Sequence, residues 1–236
     1  MLRTTHLESR FRRAVLTAVL VTAGLTVHLT VQRLAPPPIV HAGGTLVDAF
    51  PFLPATVWIY LTFFPLMVAT GALVPTDRYP RLVAAWTLAS ATAWTLVLLV
   101  PVTFSRPDPA AVGDGLHGWV FARLYGLDAA HVTFPCLHSA VTWISWWALR
   151  DRGPRLRAGV LALAAAITVS TMTTAQHLLT DNLGGLLIAG SSAWLMLPDR
   201  ARSAAPRATA TVAAAYGADG GPTAGESADE APPRRS

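Results

Sequence analysis

Apolar residues run along this chain in long uninterrupted blocks, with neither the period of a surface helix nor the alternation of a half-buried strand. Six blocks stand out: Ala14–Val31, Leu53–Val74, Leu82–Phe104, Phe134–Leu149, Ala158–Ala175 and Leu178–Leu197. A hydrocarbon layer of about 30 Å takes roughly 20 apolar residues per helix. The pattern therefore predicts six membrane helices. The fourth block is short and the sixth opens on polar residues. Both features fit ends that line a polar cavity. Proline clusters punctuate the loops, with Pro36, Pro37 and Pro38 after the first block and Pro107 and Pro109 after the third.

Composition supports a membrane protein. Of 236 residues, 53% are hydrophobic and 13% charged, against about 25% charged in ordinary soluble domains. Mean hydropathy is +0.44. The net charge of +5 rests on arginine, with no lysine present. The arginines do not form one patch, which argues against a nucleic-acid partner. They lie between the apolar blocks instead. One set of connections holds Arg3, Arg10, Arg12, Arg13, Arg78, Arg81, Arg150, Arg152, Arg155, Arg157, Arg200, Arg202, Arg207, Arg234 and Arg235. The other holds Arg33, Arg106 and Arg123. Cytoplasmic loops collect arginine, which places both termini in the cytoplasm. A competing reading takes the first block as a signal peptide ending near Val40-His41-Ala42. The length of the block and the three prolines favour a retained helix. The single Cys136 excludes an intrachain disulfide.

The expected architecture is all-α: an integral membrane six-helix bundle with a short outer-face loop helix. A basic cytoplasmic N-terminus spans 1–13, the membrane domain 14–197 and a disordered cytoplasmic tail 198–236. The tail is rich in Ala, Pro, Gly and Ser, and cannot bury enough apolar surface to order itself.

That orientation gathers titratable groups on the extracytoplasmic side. Arg106 follows the third block, His138 opens the fourth, and His177 and Asp181 lie between the fifth and sixth. Polar groups at a membrane boundary are costly and are functional candidates. On a helix, Asp181 would sit one turn from His177. Its carboxylate would take the proton of one ring nitrogen and leave the other as a free lone pair. The imidazole would then serve as a nucleophile. His138 would protonate a leaving oxygen, and the planar fork of Arg106 suits a phosphate. Together these groups suggest phosphoryl transfer.

Three segments resemble the phosphatidic acid phosphatase type 2 superfamily. Arg106-Pro107 resembles the end of its first motif, Pro135-Cys136-Leu137-His138 its second, and Ser170, His177 and Asp181 its third. Leu124-Tyr125-Gly126-Leu127-Asp128 is similar to the branch holding inositolphosphoryl-ceramide synthases and related inositol phosphotransferases. The resemblance covers about 100–190. It implies a six-helix core and a metal-independent reaction through a phosphohistidine. In it His177 is the nucleophile, Asp181 its partner and His138 the acid, with Arg106, Cys136, Leu137, Ser139 and Ser170 around the phosphate and no cofactor. The sequence also departs from the family pattern. Leu99 stands where a lysine is usual, Thr171 where an arginine is usual, and Cys136 where a serine is usual. The missing cations favour the phosphotransferase-like branch.

The expected substrate is a phospholipid or polyprenyl phosphate taken from the membrane lipids. Hydrolysis is the first reading, and transfer of an inositol-phosphate or similar head group to a lipid or polyol acceptor the second. An inactive lipid-binding scaffold is the third. Plainer roles are set beside these. His6, His28, His41, His117 and His131 read as interfacial, Ser170 could bond back to its own helix, and Asp128 reads as a helix cap. Trp143, Trp146 and Trp147 read as a packing stripe, and Gly184-Gly185 as a site of close helix packing. Two histidines with an aspartate could ligate a metal, and Cys136 could be a thiol nucleophile; neither is the favoured reading.

Overall fold

The computed structural model describes residues 2–42, 50–128 and 133–198. The chain divides into a compact unit, Met1–Leu197, and a second unit from Pro198 to Ser236. The expected disordered tail, like His131, lies outside the described residues.

The compact unit is helical. Its α-helices are α1 (Leu2–Leu34), α2 (Val57–Leu61), α3 (Phe63–Leu73), α4 (Tyr79–Leu99), α5 (Leu116–Leu127), α6 (Leu137–Leu149), α7 (Pro154–Thr173) and α8 (Leu179–Met196). Two short strands, β1 (Val40–His41) and β2 (Val102–Thr103), pair in parallel, with Val40 opposite Val102. Prolines sit where a helix tolerates them. Pro154 opens α7 after Gly153, whose φ of 114° is a left-handed turn that favours glycine. The first turns of α1, from Leu2, carry the basic N-terminal segment.

Among the described residues, four segments are long and apolar enough to cross a membrane: Leu7–Leu34, Pro54–Leu73, Thr76–Leu99 and Pro154–Thr173. They match the first, second, third and fifth sequence blocks. The fourth block forms α6, of only 13 residues, and the sixth forms α8, of 18. α6 is packed inside the bundle, whereas α8 buries one face and leaves Leu183, Leu187, Trp194 and Leu195 exposed; both helices begin at the polar site.

Between membrane helices, close packing replaces hydrophobic drive. The α4, α6 and α8 faces meet through Ala85, Ala89, Ala93, Ala140, Ala189 and Ala193, all buried. Polar contacts add register. Arg13 of α1, counted from sequence as a topology signal, is buried. Its guanidinium donates to the Gly71 carbonyl (3.2 Å), the Ala72 carbonyl (3.0 Å) and the Thr76 hydroxyl (2.8 Å). These are the free carbonyls at the end of α3, where a cation is favourable. The Trp stripe packs against the core, and the Trp143 indole donates to Thr168.

Two glycines let α8 touch the segment that precedes α6. A Cβ on Gly185 would lie 2.3 Å from the Cys136 carbonyl oxygen, and one on Gly184 would lie 2.8 Å from the Phe134 ring. The Gly185 neighbour is backbone and cannot swing aside. Gly185→Ala is therefore expected to destabilise the protein by about 1–3 kcal/mol through overpacking, read as a lower thermal midpoint in detergent. An unchanged midpoint would mean that α8 does not approach Cys136 this closely.

Candidate active site

The site forms where three polypeptide ends converge: the start of α6, the turn between α7 and α8, and the segment after β2. Each is shaped locally. At α6, Cys136 is the N-cap residue, and its sulfur accepts the Ser139 N–H at 3.4 Å, the role a serine oxygen usually fills. At α8, Leu178 is the N-cap and Asp181 lies in the first turn, its Oδ2 accepting the Leu178 N–H at 2.8 Å. Between α7 and α8 the chain reverses through Ala175, whose φ of 51° is rare for a residue with a Cβ. The His177 N–H donates to the Thr171 carbonyl (3.0 Å), which fixes the turn.

The sequence-predicted residues His138, His177, Asp181, Cys136 and Arg106 come together here. His177 Nε2 stands 3.2 Å from His138 Nδ1. His177 Nδ1 lies 2.8 Å from the Thr133 carbonyl oxygen and 3.7 Å from Asp181 Oδ2. The arrangement differs from the expected helical pair in one respect. His177 precedes α8, so the carboxylate approaches it from a capping turn, and the nearer acceptor is a backbone carbonyl. A carbonyl can only accept. Nδ1 therefore carries a proton, and the free position of the neutral ring is Nε2, facing His138.

His138 has its own partner. Its Nε2 lies 2.8 Å from the Tyr60 hydroxyl, and its ring packs against Tyr60 and Phe63 with centroids 4.9 Å apart in each case. With neutral rings, one directional chain satisfies every group. The Tyr60 hydroxyl donates to His138 Nε2, His138 Nδ1–H donates to His177 Nε2, and His177 Nδ1–H donates to Thr133. A proton added at His138 reverses the first link, so that Nε2–H donates to the Tyr60 oxygen, while Nδ1–H still donates to His177; a proton held at His177 Nε2 reverses the first two links.

Burial opposes charge on His177, but the Cys136 sulfur and the Asp181 carboxylate outweigh it and hold the imidazole pKa well above its usual value. Asp181 is itself buried; its Oδ2 is the oxygen nearest His177, at 3.7 Å, and its Oδ1 has no hydrogen-bond partner among the described residues.

Arg106 is partly neutralised. Its Nη2 donates to Asp128 Oδ2 at 3.2 Å and to the Gln176 carbonyl at 3.4 Å, and its guanidinium lies 5.2 Å from the Tyr125 ring centroid. The Nε of Arg106 is buried without a partner among the described residues. Asp128, read from sequence as a cap, is the C-cap residue of α5 and also the counter-ion of Arg106. Burial disfavours its charge, yet His28 and Arg106 together hold its carboxyl well below the usual carboxylate range. His28, read as interfacial, lies 3.8 Å from Asp128 Oδ1 and accepts from the Trp94 indole at 3.3 Å. Arg106 and His177 line an open cavity of about 510 Å³ with Phe52, Phe104 and Leu178.

The remaining predicted residues are placed differently. The Ser139 amide is taken by the Cys136 sulfur, and its hydroxyl donates to Asn182 Oδ1. Leu137 lines the apolar groove beside His138. Ser170 turns its hydroxyl back onto the Ile167 carbonyl at 2.7 Å. Sequence reasoning missed Tyr60, Thr133 and Asn182. Tyr60 sits inside an apolar block and Thr133 acts through its backbone, so neither leaves a motif. Asn182 follows Asp181 directly, and a buried amide one residue past a candidate carboxylate was the available signal.

Asn182 ties three helices together. Its Oδ1 accepts from Ser139 of α6 and from Thr171 of α7 (3.1 Å), while its Nδ2 donates to the Leu178 carbonyl (2.9 Å). Asn182→Ala would remove the acceptor that the Ser139 and Thr171 hydroxyls share, leaving each with Thr168 alone, and should cost about 1–3 kcal/mol, measured by thermal unfolding. A neutral effect would show that this junction does not hold the site.

Among the described residues, Cys136, His138 and His177 also form a group whose ligand atoms all lie within 4.8 Å of one another. It differs from the His/His/Asp set weighed from sequence: Cys136 belongs to this group and Asp181 does not.

The family model for the PAP2 superfamily matches residues 80–204, more than half of the chain, and encloses all three motif segments. No curated protein and no solved structure matches the chain. The chain belongs to the PAP2 superfamily.

Proposed function

We propose that this PAP2 superfamily protein is a membrane-embedded lipid phosphatase that works through a phosphohistidine on His177. The observation that carries the reading is the His138–His177 pair, with one nitrogen of each ring turned towards the other at 3.2 Å and the far nitrogens anchored on Tyr60 and Thr133.

The reaction needs one proton on the pair. With that proton on His138, His177 Nε2 is a lone pair and His138 is a charged acid. Substrate replaces the direct hydrogen bond: phosphorus takes the place at Nε2, and the leaving oxygen the place at His138 Nδ1. Nε2 attacks phosphorus, the P–O bond to the lipid breaks, and the leaving oxygen takes the proton of His138. Asp181 stabilises the positive charge on the phosphorylated ring. Neutral His138 then removes a proton from water, whose oxygen attacks phosphorus and releases phosphate and His177. Arg106 binds the phosphate oxygens in exchange for part of its contact with Asp128.

A lipid substrate suits the surroundings. An apolar groove of about 180 Å³ reaches His138 between α1, α3, α4 and α6, lined by Leu25, Phe63, Met67, Trp86 and Leu137 among others. A chain lying there would leave its phosphate near the histidines. The active face is extracytoplasmic and both termini cytoplasmic, on the strength of the arginine distribution. The bundle spans the membrane six times if α6, inside the bundle, and α8, with its exposed apolar face of Leu183, Leu187, Trp194 and Leu195, also cross.

A second reading is a phosphotransferase of the inositolphosphoryl-ceramide synthase type, in which an alcohol replaces water. Its support is the poor supply of cations: Leu99 and Thr171 replace basic residues usual in the family, Thr171 is buried and bonded to Asn182, and Arg106 is shared with Asp128. Labelled donor offered with an acceptor separates the two. Free phosphate marks hydrolysis, and a labelled conjugate marks transfer.

His177→Ala should abolish phosphate release from a panel of lipid phosphates, and His138→Ala should lower it by about 10²–10⁴-fold; vanadate should inhibit the native protein. Full activity in His177→Ala contradicts the mechanism. The pH profile gives a further check. The active pair holds one proton, and that proton is lost as pH rises through the raised pKa of His177. Activity should therefore fall on the alkaline side, at a pH above the ordinary histidine range. Asp181→Asn keeps an oxygen for the Leu178 N–H but removes the negative charge, so it should move this limb to lower pH. An unmoved limb would exclude Asp181 as the electrostatic partner.

A further inference from the structure

The substitution of cysteine at position 136 changes what the site can bind. We propose that Cys136, His138 and His177 form a three-ligand site for a thiophilic divalent cation such as Zn²⁺, and that its occupation shuts the active site.

The donor set and its spacing both point this way. Zinc is bound by thiolate sulfur and imidazole nitrogen at about 2.3 Å and 2.0–2.1 Å, and in a tetrahedral site two such nitrogens lie roughly 3.3 Å apart. His138 Nδ1 and His177 Nε2 are 3.2 Å apart. The Cys136 sulfur completes a group with all ligand atoms within 4.8 Å, so closure takes a short approach of the sulfur and a rotation of the two rings that turns their facing nitrogens towards one point.

The outer contacts fit as well. Ligating histidines ordinarily donate their other N–H to an oxygen, which fixes the ring and its tautomer. His177 Nδ1–H donates to the Thr133 carbonyl at 2.8 Å, and His138 Nε2 lies 2.8 Å from the Tyr60 oxygen, which can accept once Nδ1 is on the metal. Gly185, where a Cβ would meet the Cys136 carbonyl, holds the segment bearing the sulfur against α8.

Binding is balanced simply. The cation takes lone pairs from two neutral imidazoles and the thiolate, and the thiol proton leaves to solvent. A fourth position remains for water or a phosphate oxygen. Serine, the usual residue here in the resemblance, would offer a hard neutral hydroxyl, a much poorer zinc ligand. Metal binding stands on the geometry alone. The loss of turnover rests on the phosphohistidine reading, because the metal occupies the Nε2 lone pair of His177 and the proton-carrying nitrogen of His138.

The test uses the full-length protein in detergent, stripped with chelator and titrated with Co²⁺. Cys136 is the only cysteine, so a thiolate-to-cobalt charge-transfer band can arise from no other residue. The expected result is that band together with the visible bands of tetrahedral cobalt, saturating at one equivalent and displaced by Zn²⁺. Cys136→Ser should lose the band, and Tyr60→Phe, which removes an outer partner, should weaken the metal by about 10–100-fold. Zn²⁺ should inhibit lipid-phosphate turnover over the same concentration range. Absence of the charge-transfer band in the native protein overturns the site. A normal band with zinc-stimulated turnover keeps the site and overturns the phosphohistidine reading. Inhibition by zinc that persists undiminished in Cys136→Ser overturns the link between this site and activity.

Discussion

One hydrogen bond organises this site: the Thr133 carbonyl accepting from Nδ1 of His177 at 2.8 Å. An imidazole has two nitrogens, and a nucleophilic histidine needs one of them bare and aimed. The carbonyl settles which. Once Nδ1 is occupied, Nε2 points at His138, and Tyr60 closes the far end of the chain. The side-chain carboxylate expected to do this work, Asp181, stands farther off at 3.7 Å. Its charge bears on how strongly His177 holds a proton. Orientation by backbone and charge by side chain are thus two separate contributions.

The fold serves that bond by bringing three chain ends to one place. The Cys136 N–H donates to the Asp181 carbonyl at 2.9 Å, which joins the start of α6 to the start of α8. Gly185 removes the Cβ that would push them apart. Asn182 fastens both to α7. Small residues along α4, α6 and α8 bring the backbones close, so His138 rests on a packed helix and His177 on the short turn that leads into α8. A site of that kind is pre-organised for charge transfer between fixed groups.

Four of the apolar blocks were legible as membrane helices, and the motif residues stood out in the sequence, for physical reasons. A membrane helix must be apolar throughout its length, so the segments at α1, α3, α4 and α7 announce themselves. His138, His177, Asp181 and Arg106 stand out because polar groups are rare and costly in such a chain. The short helices were harder. The block that becomes α6 reads as a span, yet 13 helical residues cover too little of the hydrocarbon depth. Contacts through the backbone were invisible, which is why Thr133 went unseen. Tyr60 was hidden for another reason: an aromatic residue inside an apolar block looks like packing until its hydroxyl is seen against His138. Counter-ions were also missed. Asp128 reads as a cap and is one, but its pairing with Arg106 across 22 residues depends on how α5 folds back.

The central claim is that His177 becomes covalently phosphorylated during turnover. Rapid quenching of the purified protein with a ³²P-labelled lipid phosphate, followed by peptide mapping under alkaline conditions that preserve phosphohistidine, tests it directly. The account predicts label on the peptide containing His177, lost in His177→Ala. In His138→Ala, label should build up only when the substrate has a good leaving group. Turnover by native protein with no acid-labile label, or label retained in His177→Ala, would contradict it.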